Sequence, residues 1–300
     1  MIIGVAAAPL GDVEALAVTE GLLSAEYALT VPAATVPEAE VRHPELSVIV
    51  PAYRDSHHIV ESLARLRAAL DSTGATWELI VVVDGDSQTY REASAIASPS
   101  VRVFGSDRNR GKGFALRCGM AHSAGDYVTF IDSDMEIAPE GIGRMMGLMR
   151  LYDADIVVGS KRHPMSKVQY PLLRRVQSAS YHRLCRMLFR VKVRDTQTGL
   201  KIMRRQVSED VLRVALVKRF AFDLELLTIA DHLGYRRIME APVEIDYKFS
   251  STTNGRAVFW VLLDTAAIFY RLHIRRTYAK EWTCGRDRLD ETVLQEAGLQ

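Results

Sequence analysis

From Leu46 onward the chain alternates between short apolar runs and longer stretches with helical spacing. A continuous apolar run over 46–50 predicts a buried strand that stops at Pro51. Ile59, Leu63, Leu66 and Leu70 fall on one helical face, which predicts a helix over 59–70. Apolar runs over 77–83, 101–104 and 127–131 predict three further strands, with a helix over 113–124 before the last, and 156–159 predicts another strand. Strands alternating with helices predict an α/β fold built on a mainly parallel sheet. Beyond it the pattern is helix-rich: an amphipathic helix over 174–190, then helices over 207–216 and 223–233. A last strand is expected over 238–247, where Pro242 points to an edge or a bulge. A strongly apolar helix over 257–274 is broken only by Asp264, and Arg271, Arg275, Arg276 and Lys280 gather at its end.

Residues 1–44 break this rhythm. They are rich in Ala, Val, Pro and Glu, with a short helical patch over 13–29 and a linker-like stretch holding Pro32, Pro37 and Pro44. We read them as a mobile extension before a domain over 45–250, with 251–300 forming an amphipathic helix and polar tail. A net charge of +1 conceals a strong asymmetry. Residues 161–219 carry sixteen Lys or Arg against Asp195, Glu209 and Asp210 alone. Such a block implies an anionic partner: phosphate, a lipid surface or nucleic acid. No nucleic-acid recognition motif accompanies it, so nucleic acid is not expected. Cys118, Cys185 and Cys284 are far apart and no CxxC occurs, which excludes a disulfide framework and a zinc site and fits a reducing cytosol. The N-terminus lacks a basic region and carries early acids, so no signal peptide is expected. No stretch of about 20 uncharged apolar residues predicts a membrane span.

The chemistry concentrates where the first four strands end. Polar residues follow each: Tyr53 and Asp55, Asp84 and Asp86, Asp107, then Asp132 and Asp134. Residues i and i+2 of a strand project to one side, and α/β proteins bind ligands at the carboxyl edge of the sheet. Two carboxylates there invite a divalent cation carrying phosphates. Glu136 adds a third acid two residues on. Asp-x-Asp by itself is equally a strand-end turn; four acidic strand ends on one edge are harder to explain that way.

Seven segments in order, VPAYRD (50–55), VVVDGDS (81–87), NRGKGFALRCGMAHSAGDYVTFIDSDMEIAP (109–139), GSKRHP (159–164), DTQTGLKIMRR (195–205), FAFDLELL (220–227) and EAPVEIDY (240–247), resemble family 2 glycosyltransferases of the GT-A fold. The similarity is greatest to the branch that moves a sugar from a nucleotide to polyprenyl or dolichyl phosphate, and DTQTGLK with AFDLELL favours the dolichyl-phosphate glucose synthases. The resemblance implies a Rossmann-like GT-A sheet and an inverting hexosyltransferase. UDP-glucose is the implied donor, with GDP-mannose as the alternative; polyprenyl phosphate is the acceptor, and Mg²⁺ or Mn²⁺ the cofactor. A soluble acceptor and a non-catalytic nucleotide-sugar or lipid-binding protein stay open, as does a homo-oligomer.

By the same resemblance, Pro51, Tyr53 and Asp55 line the nucleobase and ribose pocket, and Asp84 and Asp86 meet base or ribose. The turn before the helix, with Lys112 and Gly113, faces the diphosphate, and Lys248 meets it from a loop. Asp132 and Asp134 are the metal and donor pair, with Asp134 and Glu136 nearest the metal. Asp195 and Gln197 face the donor sugar or orient the acceptor, and Arg162, Arg174, Arg175 and Ser178 hold the acceptor phosphate through the guanidinium fork. Asp223 and Glu225 stand two apart on a helix and do not share a face, so at most one reaches the site. The apolar helix over 257–274 with its basic end suits an interface with anionic lipid, placing the enzyme peripherally on the cytoplasmic face of the membrane. A core or dimer helix is the alternative.

Overall fold

The computed structural model describes residues 29–30, 43–167, 172–217, 219, 221–245 and 255–278; side chains at 29–30, 172–179 and 255–258 lie outside that description. Most of the predicted extension, the helical patch over 13–29, Lys248, Lys280, Cys284 and the tail fall outside it. The strands are β1 (Leu29–Thr30), β2 (Leu46–Ala52), β3 (Trp77–Asp84), β4 (Val101–Ser106), β5 (Tyr127–Phe130), β6 (Ile156–Ser160), β7 (Lys201–Arg204) and β8 (Ile238–Pro242). They form one eight-stranded sheet in the order β1-β4-β3-β2-β5-β7-β6-β8. The run β4-β3-β2-β5 is parallel, as the strand–helix alternation predicts. β7 lies antiparallel to both β5 and β6, β8 pairs parallel to β6 at the edge, and β1 pairs antiparallel to β4.

The helices are α1 (Ile59–Asp71), α2 (Ser87–Ser94), α3 (Lys112–Ala121), α4 (Gly141–Leu151), α5 (Leu172–Phe189), α6 (Arg205–Val214), α7 (Phe222–His232) and α8 (Gly255–Phe269), the last continuing into a π-helical turn, Tyr270–Arg275. The central strands are apolar on both faces because helices cover both. Leu46, Val48 and Val50 of β2 face a core layer with Ile59, Leu63 and Leu66 of α1 and Met145 of α4. Ile49, Ile80 and Val82 face the opposite layer with Phe114 of α3, Val211 of α6 and Leu226 of α7.

Pro51 does not stop β2. It pairs in register with Val82, and the strand runs on to Ala52. The reason is directional. Ile49 accepts a hydrogen bond from Ile131 on the β5 side, so the nitrogen two residues on faces that side too. β5 has already ended there at Phe130, and the donor that proline lacks has no ladder to serve. The sheet therefore splits open beside residues 131–134. Pro242 closes the edge strand β8, as expected of a proline in that position.

Candidate active site

The carboxyl ends of β2, β3 and β5, with the loop after β4, open on one cavity of about 690 Å³. Pro51, Tyr53 and Asp55 line it after β2, Asp84 at the end of β3, Asn109 to Lys112 after β4, and Asp132, Ser133 and Asp134 after β5. Those strand ends meet on one edge as the sequence implies.

Each wall is fastened to the next. Asp84 is buried, and its carboxylate accepts hydrogen bonds from the backbone N–H groups of Arg110 (2.9 Å) and Gly111 (2.6 Å). Burial pushes its pKa up, against the pull of those two donors. Asp84 thus anchors the 109–111 loop as well as lining the cavity. Gly85 (φ +77°) brings the turn against that loop so closely that a Cβ would lie 2.2 Å from the Asn109 nitrogen. Asp86 does not reach the cavity wall: it N-caps α2, accepting from the Thr89 N–H at 2.9 Å. Thr89 Oγ1 in turn accepts from the Asp55 N–H, and Asp55 accepts from the Ser133 hydroxyl. The residue between the two acids therefore turns away from them and ties β5 to β2. Gly113 is buried inside α3, and the backbone that lines the cavity belongs to Gly111 (φ +107°), the N-cap residue.

Four charges alternate inward from the cavity. Lys112 Nζ lies 2.7 Å from Asp132 and 3.5 Å from Asp223, and Lys201 Nζ lies 2.5 Å from the other oxygen of Asp223 and 2.5 Å from the Thr198 carbonyl. Lys201 and Asp223 are buried. Burial alone would raise the Asp223 pKa; Lys112 and Lys201 outweigh it and hold the carboxyl below its usual range. Burial would likewise lower Lys112, and its two carboxylates raise it instead. The antiparallel register explains the meeting. Lys201 sits opposite Phe130, so two residues further Gly199 sits beside Asp132. A Cβ on Gly199 would fall 2.0 Å from Asp132 Oδ2. Asp134 is exposed on the cavity wall, yet partial desolvation by the surrounding protein raises its pKa first, and the Asp132 charge raises it further.

Other expected site residues lie apart. Glu136 is 3.4 Å from Lys161 and does not line the large cavity, though its charge acts on Asp134. Among the described residues no group of three or more His, Cys, Asp or Glu side chains is gathered as a metal cage. Asp195, Gln197 and Arg162 line a second cavity of about 20 Å³ with Tyr181, His182 and Arg194, room for about one water. Asp195 accepts from the Lys161 N–H at 3.1 Å. Gln197 Nε2 and His182 Nδ1 are buried there without a hydrogen-bond partner among the described residues. Burial, then Arg162, lowers the His182 pKa. Arg174, Arg175 and Ser178 lie on α5, their side chains outside the described residues.

Of the two acids on α7, Asp223 reaches the site through Lys112. Glu225 points elsewhere and accepts from the Val217 N–H (2.7 Å) and the hydroxyl of fully buried Tyr278 (2.7 Å). Arg271, expected in the basic cluster, turns inward to Glu225 at 3.3 Å. Arg219 and Trp260 also line the large cavity, the guanidinium 4.0 Å from the ring centroid. Neither was anticipated. Lys201 stands inside the DTQTGLKIMRR segment, and a lysine just before the apolar Ile202 and Met203 is the signal available for it.

The family model for glycosyl transferase family 2 matches residues 47–212. The chain belongs to that family. A dolichyl-phosphate beta-glucosyltransferase of Drosophila melanogaster is 34% identical over 208 residues, covering 63% of this chain and 63% of the relative. The enzyme of that name from Homo sapiens is 31% identical over 249 residues, covering 76% and 75%. One from Trichomonas vaginalis is 31% identical over 210 residues, covering 65% and 62%, so this chain spans just under two thirds of that relative. Among solved structures, glucosyl-3-phosphoglycerate synthase from Mycobacterium tuberculosis, in complex with Mn²⁺, uridine diphosphate and phosphoglyceric acid, superposes with a TM-score of 0.59. At 20% identity over 75% of this chain and 78% of that one, it shows the shared fold.

Proposed function

We propose that this family 2 protein is an inverting, metal-dependent glycosyltransferase moving glucose from UDP-glucose onto a polyprenyl phosphate. The observation that carries the reading is Asp132 and Asp134 at the open end of β5, in one cavity with Tyr53, Asp55, Asp84 and Lys112. The dolichyl-phosphate glucosyltransferase relatives support the donor sugar and the lipid acceptor.

Asp132 and Asp134 fit a divalent cation: Asp134 opens to solvent on the cavity wall, where partial desolvation and then the like charge of Asp132 disfavour its anion, and a cation relieves both penalties. Two protein carboxylates completed by substrate phosphate oxygens is the usual manner of Mg²⁺. Glu136, 3.4 Å from Lys161 and near enough for its charge to act on Asp134, is the third candidate ligand. When bound, the metal supplies charge for the departing diphosphate. The protein supplies the rest. Lys112 adds a fixed positive charge to the same wall, and Tyr53 and Asp55 hold the nucleoside end. The acceptor is already an anionic nucleophile. Its phosphate oxygen forms the bond to the anomeric carbon as the bond to the diphosphate oxygen breaks, so orientation matters more than a general base.

The C-terminal helix supports a peripheral site of action. Ile268 and Thr265 face inward, while Phe259 (58% exposed), Leu262, Leu263 and Ile274 (64%) face out, with Arg275 and Arg276 exposed at the end. Such a face suits an anionic lipid surface. Among the described residues no helix is long and apolar enough to cross a membrane.

The test is glycolipid formation from polyprenyl phosphate with Mn²⁺ or Mg²⁺, using UDP-glucose, GDP-mannose and UDP-N-acetylglucosamine in parallel. Product from UDP-glucose supports the reading; product from GDP-mannose moves the donor; none from any donor refutes the acceptor. Membrane docking is tested by sedimenting Leu262→Glu/Leu263→Glu with anionic liposomes. Undiminished binding removes the helix from the interface.

A further inference from the structure

Besides the strand ends, the large cavity is lined by two residues from distant parts of the chain. Arg219 comes from the link between α6 and α7, and Trp260 from the first turns of α8. The guanidinium carbon sits 4.0 Å from the Trp260 ring centroid, within cation–π range. A guanidinium held over an aromatic face by cation–π attraction uses none of its N–H donors in that contact.

The three cations that line this cavity are differently engaged. Lys112 is held between Asp132 and Asp223, and Arg110 lies 3.8 Å from Asp107 and 4.8 Å from the Phe114 ring. Arg219 has no carboxylate within ion-pair distance among the described residues; Asp264 acts on it only from further off. It is exposed and lines the same cavity as Asp132 and Asp134. Its fork geometry matches phosphate oxygens.

We propose that Arg219, aimed by Trp260, is a phosphate contact of this active site. The inference rests on the glycosyltransferase reading and deepens it. The C-terminal helix then belongs to the substrate site rather than only to the membrane face, because the residue that orients Arg219 sits beside exposed Phe259 on the same helix. Phosphate oxygens come from two sources here, the donor diphosphate and the acceptor monophosphate.

The experiment is calorimetric titration of the full chain with UDP and Mn²⁺, with uridine alone followed by NMR. Acceptor KM is measured in parallel on a short polyprenyl phosphate. Arg219→Ala should weaken UDP about tenfold, a loss in the range of one charge-assisted hydrogen bond, and leave uridine unchanged. Arg219→Lys should recover part of it. Trp260→Leu should reproduce the loss and Trp260→Phe largely spare it. An increase in acceptor KM with UDP binding intact assigns the contact to the acceptor phosphate. Unchanged UDP affinity together with unchanged acceptor KM overturns the proposal, and so does an equal loss for uridine, which marks a structural role. Failure of the unmutated chain to bind either UDP or GDP refutes the glycosyltransferase reading itself, a result separable from any behaviour of the variants.

Discussion

The two sides of the large cavity were built by different rules. One side comes from strand ends within residues 51–134, each acid placed by a local pattern: an apolar-rich run followed at once by carboxylates. The other side, Arg219 and Trp260, comes from segments 41 residues apart that meet only because α8 docks on the domain. Strand-end chemistry can be read from sequence because a parallel sheet sends successive carboxyl ends to one edge. Helix docking cannot, because it is decided by buried partners scattered through the chain. Glu225, Tyr278 and Arg271 make that dock, and no local periodicity announces them.

Disabling the strand-end side has the largest expected effect. Asp134→Asn should lower turnover by about two to three orders of magnitude, the scale of losing one preorganised electrostatic group. Its melting temperature should not fall, because the exposed side chain is replaced by an amide of the same shape, and partial desolvation and Asp132 already disfavour the anion. Near-normal turnover would dissociate the carboxylate pair from catalysis.

Asp223→Ala reaches beneath that side. It leaves Lys201 buried and both lysines without their shared carboxylate, a loss of about 3–5 kcal/mol measured by urea unfolding. The pH dependence has a definite sign. The folded pKa of Asp223 is depressed, so its contribution is fully present above the unfolded carboxylate value of about 3.9. It fades as pH falls through the lower folded value. The stability gap between wild type and variant should therefore narrow in acid, be widest around neutral pH, and narrow again in the alkaline range where Lys201, its pKa lowered by burial, loses its proton. A gap that stays constant down to the acid transition would mean the lysines are not held by this charge.

Gly199→Ala sharpens the line between pattern and register. TGLK reads as an ordinary turn in sequence; only the pairing of Lys201 with Phe130 places Gly199 against Asp132. The added methyl must move either the turn or the carboxylate. We expect about 1–3 kcal/mol of destabilisation and a fall in kcat larger than any change in nucleotide affinity. Activity equal to wild type would show that Asp132 can move without cost.

Much of the fold was legible for the same physical reason as the strand-end wall. The parallel strands and the helices over 59–70 and 223–233 follow from period and burial, since continuous apolar runs between helices leave few other arrangements. What escaped was set by non-local pairing. β7 runs antiparallel through a sheet read as mainly parallel, and Pro51 continues a strand because its neighbour has already ended. Asp86 shows the converse: a local rule, N-capping, also uses a residue that resemblance assigns to the nucleotide.

Tyr278→Phe is the mildest way to loosen the docked side. It deletes the hydroxyl that donates to Glu225, which retains Arg271 and the Val217 N–H. The expected cost is about 1–3 kcal/mol for a buried acceptor losing one donor. The more telling readout is local. If the dock carries Trp260 into the cavity wall, amide exchange should accelerate over 259–278 while the strands around Asp132 keep their protection. Donor affinity should weaken in step with that opening. Faster exchange with unchanged UDP binding would mean that α8 rides on the domain without shaping its site, and the two sides of the cavity would then be independent after all.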